Sequence, residues 1–315
     1  MNSPLVASQD PALVPKQMPT SPTVELAVTS SALADARVRT RTTVDGIQFD
    51  RVDLAQATRV TLELAAAKGP ALVVTPNLDI LRLCHEQPRL RDMVNDADLV
   101  LPDGWPVLAA ARLMHKPHST PSTRVPGSEL LWTVSAGAAR LNMRVAVVGG
   151  LPGTAQKAAQ KLGNGDDQHL FRGFELPHGF EQRPEDIAVL AEALDEWKPA
   201  IVLLGMGFPR QELLAIRLAR RTPACFVGVG AGVDFAAGTK RRAPQIMQRL
   251  GLEWLHRLLS EPRRLWRRYL LADLPYATRL FAAAITHRAR CGDRGPSAEI
   301  YAEGFPRSVN ESAPS

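Results

Sequence analysis

The sequence has little of what several common protein classes depend on. Its 315 residues include three cysteines, Cys84, Cys225 and Cys291, which are too few and too scattered for a disulfide framework or a four-cysteine zinc site. No uncharged apolar run reaches the roughly 18–20 residues that cross a bilayer, and no basic start followed by a compact apolar stretch marks a secretory signal. We therefore expect a globular protein that folds in the reducing cytoplasm.

Sequence motifs of several enzyme classes are also absent. The chain has neither the Gly-x-Ser-x-Gly turn of many serine hydrolases nor the glycine-lysine loop of the commonest nucleotide hydrolases. Asp96-Ala97-Asp98 matches the Asp-x-Asp pattern by which many sugar transferases hold a metal. Because it precedes an apolar run instead of following one, we interpret it as a helix end and a strand start, and we predict no metal site.

Positive charge is concentrated near one end of the chain. Residues 240–290 contain twelve lysines and arginines against three acidic residues, a net charge of +9, in a chain whose overall charge is +6. A body of nearly balanced charge with one basic segment predicts a surface that binds an anionic partner. Phospholipid, a nucleoside diphosphate and nucleic acid are the candidate partners.

Between residues 43 and 243, short apolar runs alternate with longer amphipathic stretches. The runs predict strands over residues 71–75, 98–101, 143–148, 170–174, 201–205 and 225–229, and the stretches predict helices over 54–67, 80–95, 107–114, 128–141, 154–162, 185–197 and 210–221. This alternation predicts an α/β fold with a Rossmann-like, mostly parallel sheet and helices on both faces. Residues 1–42 and 291–315 are predicted to be disordered tails.

The ends of the first two predicted strands carry polar side chains. Thr75 and Asn77 follow the first strand, and Asp103 follows the second. Ligands of parallel α/β sheets bind at the carboxyl ends of strands, where a carboxylate can accept the proton of an attacking hydroxyl. Each residue also has an ordinary structural interpretation, because Asn77 can cap a helix and Asp103-Gly104 can form a turn.

Glycine-rich turns follow three later strands. The turn from Gly149 to Gly153, with Glu175 further along, is a weak match to a dinucleotide-binding fingerprint and leaves an NAD-dependent oxidoreductase as an alternative. The fifth predicted strand ends at Gly205, and the segment from there to Gln211 combines close backbone approach with polar side chains. Asp234 follows the sixth strand, where it could contact a ribose or base, or cap a turn.

Residues 244–290 form a basic amphipathic appendage. Leucines, aromatic residues and arginines interleave there at helical spacing, which is typical of a helix lying in an anionic membrane interface. For the first part of this segment, the alternative is a helix docked on the protein with its arginines in water. For the protein as a whole, one alternative function is the binding of anionic lipid without catalysis. No recognition-helix motif supports nucleic-acid binding.

Several motifs occur in one order between about residues 45 and 270. They are Thr-x-Asn, Leu-Pro-Asp-Gly, Arg124-Val125-x-Gly127, Val-Gly-Gly-x-Pro-Gly, His178-Gly179-Phe180, Gly-x-Pro-x-Gln-Glu, Arg242-Ala243-Pro244 and Gly251-Leu252-Glu253-Trp254-Leu255-x-Arg257. The series resembles the WecG/TagA/CpsF family of bacterial glycosyltransferases. The ordered set is far more specific than any one of its members.

The resemblance implies an inverting transfer without metal or other cofactor. A sugar would move from a UDP-sugar to a polyprenyl-diphosphate-linked sugar during synthesis of teichoic acid, common antigen or exopolysaccharide. The enzyme would be cytoplasmic and bound peripherally to anionic lipid at the inner face of the cell membrane. A homo-oligomer is left open.

The resemblance also assigns roles to residues. Asp103 resembles the general base, with Thr75 and Asn77 as its neighbours. The substrate-binding candidates, from the resemblance and from the glycine turns, are Arg124, Gly149, Gly150, Gly205, Gln211, Asp234, Arg257, Arg264 and Arg267. This chain has Asp79 where many relatives have Glu, and Trp105-Pro106 follows the Asp-Gly motif, so the sugar specificity is left open.

Overall fold

Six short apolar runs form one parallel sheet in the computed structural model, which describes residues 40–116, 119–177, 179–240, 242–244, 246–247 and 253–291. The strands are β3 (Ala71–Val74), β4 (Leu99–Val100), β5 (Val145–Gly149), β6 (Phe171–Phe174), β7 (Ile201–Gly205) and β8 (Cys225–Gly228). Their order across the sheet is β4-β3-β8-β7-β5-β6, and every neighbouring pair is parallel. All six predicted strands and the α/β fold class are confirmed.

A two-stranded antiparallel hairpin precedes this sheet and was not predicted. Its strands are β1 (Arg41–Val44) and β2 (Ile47–Asp50), and the turn residues Asp45 and Gly46 both have positive φ, as a tight hairpin turn requires. The hairpin includes residues 41 and 42, which the sequence boundary at residue 43 assigned to the N-terminal tail. Strands of four residues are too short to give a clear alternating pattern.

Helices connect the strands close to the predicted positions. They are α1 (Leu54–Ala66), α2 (Leu78–Glu86), α3 (Pro88–Asn95), α4 (Trp105–Met114), α5 (Gly127–Arg140), α6 (Thr154–Leu162), α7 (Pro184–Trp197), α8 (Arg210–Leu218) and α9 (Gly232–Ala237). The prediction of one helix over residues 80–95 was wrong. Gln87 is extended, because a proline at the next position disfavours helical backbone before it, so α2 and α3 are separate.

Alternate residues of each strand pack into two apolar clusters on opposite faces of the sheet. Leu72 and Val74 of β3 belong to the cluster that includes residues of α2, α7 and α8. Ala71 and Val73 belong to the cluster that includes residues of α1, α5 and α6. Both faces are therefore covered by helices, which explains why the strands read as continuous apolar runs.

The C-terminal segment is helical and contacts the core. It consists of α10 (Glu253–Ser260), α11 (Pro262–Trp266), a π-helical turn (Arg267–Asp273) and α12 (Leu274–Cys291). In α12, Tyr276, Leu280 and Ala284 are buried, and the Tyr276 hydroxyl donates to Asp45 Oδ2 at 2.7 Å. Within the described ranges, no helix has the length and apolarity needed to span a bilayer.

The predicted boundaries near the two ends lie largely outside the described residues. This holds for residues 1–39 of the N-terminal tail and for residues 292–315 of the C-terminal tail. It also holds for residues 248–252 inside the predicted appendage.

Candidate functional site

A cleft of about 320 Å³ opens between the carboxyl ends of β3 and β4 and the C-terminal segment. This volume lies within the range of small-molecule sites in proteins. Its polar and aromatic lining comes from the core (Asn77, Asp79, Asp103, Trp105 and Arg124) and from the C-terminal segment (Glu253, Trp254, Arg268, Tyr269 and Asp273). Two regions far apart in sequence therefore form one site.

The backbone after β4 carries Asp103 into the wall of this cleft. The Asp103 N–H donates to the carbonyl of Pro76 at 3.0 Å, which continues the association of the β3 and β4 chains past the strands. Gly104 then adopts φ 103° and ψ 149°, a conformation that residues with a side chain rarely reach. The chain turns there into α4, so that the predicted base lies at the sheet edge as expected.

The two predicted neighbours of Asp103 have different environments. Asn77 lines the cleft and caps α2, because its Oδ1 accepts the Ile80 N–H at 3.1 Å. Thr75 is buried, and its hydroxyl donates to the carbonyl of Gly228 at 3.1 Å. Thr75 is not among the described residues that line the cleft, and its hydrogen bond connects β3 to β8 instead.

Arg124 links the core to the C-terminal segment. Its guanidinium lies 3.6 Å from Glu129 at the start of α5 and 3.8 Å from Glu253 at the start of α10. Arg242 contacts the same two carboxylates, at 2.7 Å and 4.0 Å. Two arginines and two glutamates thus fix the first C-terminal helix beside the cleft.

A second charged cluster joins α2 to the π-helical turn. Arg82 contacts Asp79 at 2.7 Å and Asp273 at 3.2 Å, and Arg268 contacts Asp79 at 3.0 Å. Burial, followed by the charge of Asp79, raises the pKa of the Asp273 carboxyl to about 6. The wider π-helical turn brings positions five apart onto similar sides, and Arg268 and Asp273 both line the cleft.

The glycine-rich turns form a separate, closely packed region at the ends of β5, β7 and β8. A Cβ atom at Gly149 would lie 2.5 Å from Met206 Cγ, and one at Gly205 would lie 2.5 Å from Val233 Cγ2. Gly150 has φ 86°, and a Cβ there would lie 2.2 Å from Thr154 Oγ1. Glycine is required at these positions by close packing within the chain itself.

Asp234 is part of that packing. Its Oδ1 accepts the Leu151 N–H at 3.0 Å, and its Oδ2 lies 3.6 Å from Lys240 Nζ. The carboxylate therefore already occupies one of the backbone donors that a nucleotide phosphate would use. Glu175, the proposed ribose contact of the oxidoreductase alternative, lies exposed after β6.

Gln211 and Glu212 brace two of the glycine turns from inside. Gln211 Oε1 accepts the N–H groups of Gly207 and Gly230, both at 3.2 Å, and its Nε2 donates to Glu212 Oε1 at 2.8 Å. Glu212 is buried, and its Oε2 has no hydrogen-bond partner among the described atoms. Burial raises the pKa of this carboxyl to about 7.

The predicted arginines of the C-terminal segment have different outcomes. The Arg267 guanidinium lies 5.4 Å from the centre of the Trp266 ring and does not line the cleft, whereas its neighbour Arg268 does. The side chains of Arg257 and Arg264 lie outside the described part of the structure. Arg268 was not among the arginines that the family resemblance selected.

Comparison with known proteins identifies the group to which this chain belongs. The Glycosyl transferase WecG/TagA/CpsF family matches residues 42–290, which include the whole sheet and the C-terminal helices. The chain is a member of this glycosyltransferase family. A curated relative from Bacillus spizizenii, N-acetylglucosaminyldiphosphoundecaprenol N-acetyl-beta-D-mannosaminyltransferase, is 29% identical over 211 residues, 67% of this chain and 78% of the relative.

Membership decides between the alternatives raised by the sequence. A glycosyltransferase is neither an oxidoreductase nor a lipid-binding protein without catalysis, so both of those hypotheses were wrong. The packing of Asp234 against the glycine turn accounts for the misleading dinucleotide fingerprint, because those glycines are required for close backbone contact. Across the described residues, no group of three or more His, Cys, Asp or Glu side chains is arranged to hold a metal ion.

Proposed function

We propose that this glycosyltransferase moves an N-acetylhexosamine from its UDP derivative to a sugar carried on a polyprenyl diphosphate, with inversion and without metal. The observation that carries the proposal is the position of Asp103 in a cleft closed by the C-terminal segment. The B. spizizenii relative suggests N-acetylmannosamine as the sugar and polyprenyl-diphosphate-linked N-acetylglucosamine as the acceptor.

Asp103 acts as the general base in this proposal. It accepts the proton of an acceptor hydroxyl as that oxygen attacks the anomeric carbon of the donor. The bond between the anomeric carbon and the diphosphate oxygen breaks, and its electron pair leaves with UDP. A single displacement inverts the anomeric configuration and needs only one carboxylate at the reacting hydroxyl.

The negative charge of the departing UDP must be balanced by groups of the protein. Arg257, Arg264 and Arg267 of the C-terminal segment are the proposed cationic partners. Asp234 and Gln211 hold the neighbouring glycine turns in place through hydrogen bonds from Leu151, Gly207 and Gly230. Arg124 lines the same cleft as Asp103.

We also propose that the C-terminal segment binds the inner face of the cell membrane. Large apolar side chains stay exposed along it: Trp254, Leu259, Trp266, Leu270, Leu271 and Leu274. Arg263 and Arg267 are exposed in the same stretch. Apolar and basic side chains side by side suit an anionic lipid surface, which would present a lipid-linked acceptor to the cleft.

The test of the proposed function is UDP release in the presence of a chelator. Purified protein is mixed with UDP-N-acetylmannosamine or other UDP-sugars and a short-chain lipid-diphosphate N-acetylglucosamine acceptor. We expect release that depends on both substrates. Absence of release across the donor panel, with folded protein and with vesicles supplied, contradicts the proposal.

The role of Asp103 is tested by a substitution that keeps its shape. Asp103→Asn is expected to lower kcat at least ~100-fold while donor affinity is retained, because the amide cannot accept the proton. Asp195→Asn, on the exposed surface of α7, is the matched control and leaves kcat unchanged. Near-normal turnover of the Asp103 variant would remove it from the role of base.

A further inference from the structure

We propose that the described cleft is the subsite for the acceptor's sugar and that this sugar stacks on Trp105, which thereby contributes to acceptor specificity. The inference rests on the proposed function and goes further by naming the ligand group and a recognition residue. Trp105 lines the cleft and is 39% exposed, so its ring is available to a ligand.

The carboxylates of the cleft favour a sugar beside them over a diphosphate, a group that both substrates carry. Its lining contains four carboxylates and two guanidinium groups: Asp79, Asp103, Glu253, Asp273, Arg124 and Arg268. Both arginines already lie in ion pairs, Arg124 with two glutamates and Arg268 with Asp79 at 3.0 Å. An acidic site disfavours a dianionic group, whereas carboxylates accept hydrogen bonds from the hydroxyls of a sugar.

Aromatic side chains supply the second requirement of sugar binding, a flat apolar surface. Trp105, Trp254 and Tyr269 all line the cleft. The rings of Trp254 and Tyr269 pack edge to face, with centroids 6.3 Å apart and an interplanar angle of 82°, which fixes one aromatic corner. A pyranose presents C–H groups on its faces and hydroxyls at its edges, which matches aromatic walls combined with carboxylates.

Local backbone geometry places Trp105 beside the proposed base. Asp103 and Trp105 are separated only by Gly104, so their Cα atoms are at most about 7 Å apart. The unusual conformation of Gly104 ends the extended backbone, and α4 begins directly at Trp105. A sugar stacked on this indole therefore has its hydroxyls within the neighbourhood of the Asp103 carboxylate.

The apolar part of the same cleft suits the lipid end of the acceptor. Leu270, Leu274 and Ala277 also line it, and the first two are about half exposed. The polyprenyl chain would run along these side chains, with the acceptor's diphosphate between the chain and the sugar and away from the carboxylates. A UDP-sugar has no apolar chain to occupy them, which favours the acceptor over the donor as the ligand here.

The experiment measures binding directly, without turnover. Isothermal titration calorimetry determines the affinity of the full chain for short-chain lipid-diphosphate N-acetylglucosamine and, separately, for UDP-N-acetylmannosamine. Trp105→Ala is expected to weaken acceptor binding at least ~10-fold and to leave donor binding within ~2-fold, while Trp105→Phe retains part of the acceptor affinity. Trp197→Phe, where the indole packs on Phe174 outside the cleft, is the matched control, with thermal unfolding to verify each variant's fold.

Three results of the calorimetry would overturn the inference. They are an acceptor affinity of Trp105→Ala within ~2-fold of wild type, equal weakening of donor and acceptor, and a wild-type protein that binds no lipid-linked sugar. Loss of binding to phosphatidylglycerol vesicles with unchanged sugar binding would also overturn it, since Trp105 would then be a membrane anchor. Acceptor binding that depends on Trp105 without any UDP release would contradict the proposed function and leave this inference standing.

Discussion

The two regions that form the cleft are stabilised in different ways. The sheet and its helices bury nearly all of their apolar strand residues, and backbone groups after the strand ends have specific hydrogen-bond partners, as Gly207 and Gly230 do in Gln211. The C-terminal segment instead contacts the core through ion pairs and one face of α12, and it keeps large apolar side chains exposed. Apolar packing stabilises the first region, whereas ion pairs make much of the contact between the second region and the core.

This difference assigns separate tasks to the two regions. A rigid sheet edge holds Asp103 and the glycine turns in fixed positions, which catalysis needs. A segment joined partly by surface charges and covered with exposed apolar groups is suited to meet a membrane and a lipid-linked substrate. The cleft is complete only where the two regions meet.

Removal of the C-terminal segment has the largest expected effect. A chain that ends at Met247 lacks Glu253, Trp254 and Arg268 of the cleft wall, together with the proposed leaving-group arginines. We expect kcat to fall at least ~100-fold, because the charge of the transition state is no longer balanced. We also expect vesicle binding to be lost, because the exposed apolar and basic side chains are removed. UDP release and vesicle sedimentation measure these effects at a temperature where circular dichroism verifies the fold.

A gentler variant controls for the packing that truncation removes. Truncation also exposes the core surface that α12 covers with Leu280 and Ala284, so stability itself will decrease. Arg263→Gln changes only an exposed side chain that has no proposed role at the leaving group, and it is expected to weaken vesicle binding by about 1 kcal/mol. Full activity of the truncated chain would show that the sheet alone carries the active site.

The pH dependence of core stability is the second effect. Burial raises the Glu212 pKa from its ordinary 4.5 to about 7, so the native state holds a proton that the unfolded state releases between these values. The free energy of unfolding should therefore decrease as the pH rises from 4.5 through 7, by on the order of 3 kcal/mol in total. Glu212→Gln, which cannot ionise, should remove this contribution.

Urea unfolding at a series of pH values between 5 and 8 measures the Glu212 effect. The difference in the free energy of unfolding between wild type and Glu212→Gln separates the contribution of Glu212 from that of Asp273, whose raised pKa changes stability in the same direction. Glu196→Gln, on the exposed surface of α7, is the control and should run parallel to wild type. If the free energy of unfolding of Glu212→Gln depended on pH as that of wild type does, the inference that the Glu212 carboxyl is protonated in the native state would be contradicted.

The sequence predicted the core far better than the joint between the two regions. Fully buried strands and amphipathic helices leave periodic patterns, so six strands and the site of Asp103 could be found without coordinates. Arg268 and Asp273 leave no such pattern, because their place in the cleft depends on ion pairs with Asp79 and Arg82, which lie far earlier in the chain. Trp105 follows the Asp-Gly motif directly, yet sequence alone does not show that a distant segment completes a cleft around it.

The ion pairs at the joint have the smallest expected effect. Arg268 of the C-terminal segment and Asp79 of the core are 3.0 Å apart, but their side chains are 37% and 14% exposed, so solvent screens them. A double-mutant cycle with Arg268→Gln and Asp79→Asn should give a coupling energy of about 0.5–1 kcal/mol at low salt and less in 1 M salt. The pair of Arg183 with Asp186, within the core region and similarly exposed, provides the reference. No coupling at low salt would mean that the apolar packing of α12 alone holds the C-terminal segment in place, and the contrast between a packed core and a charge-joined segment would not hold.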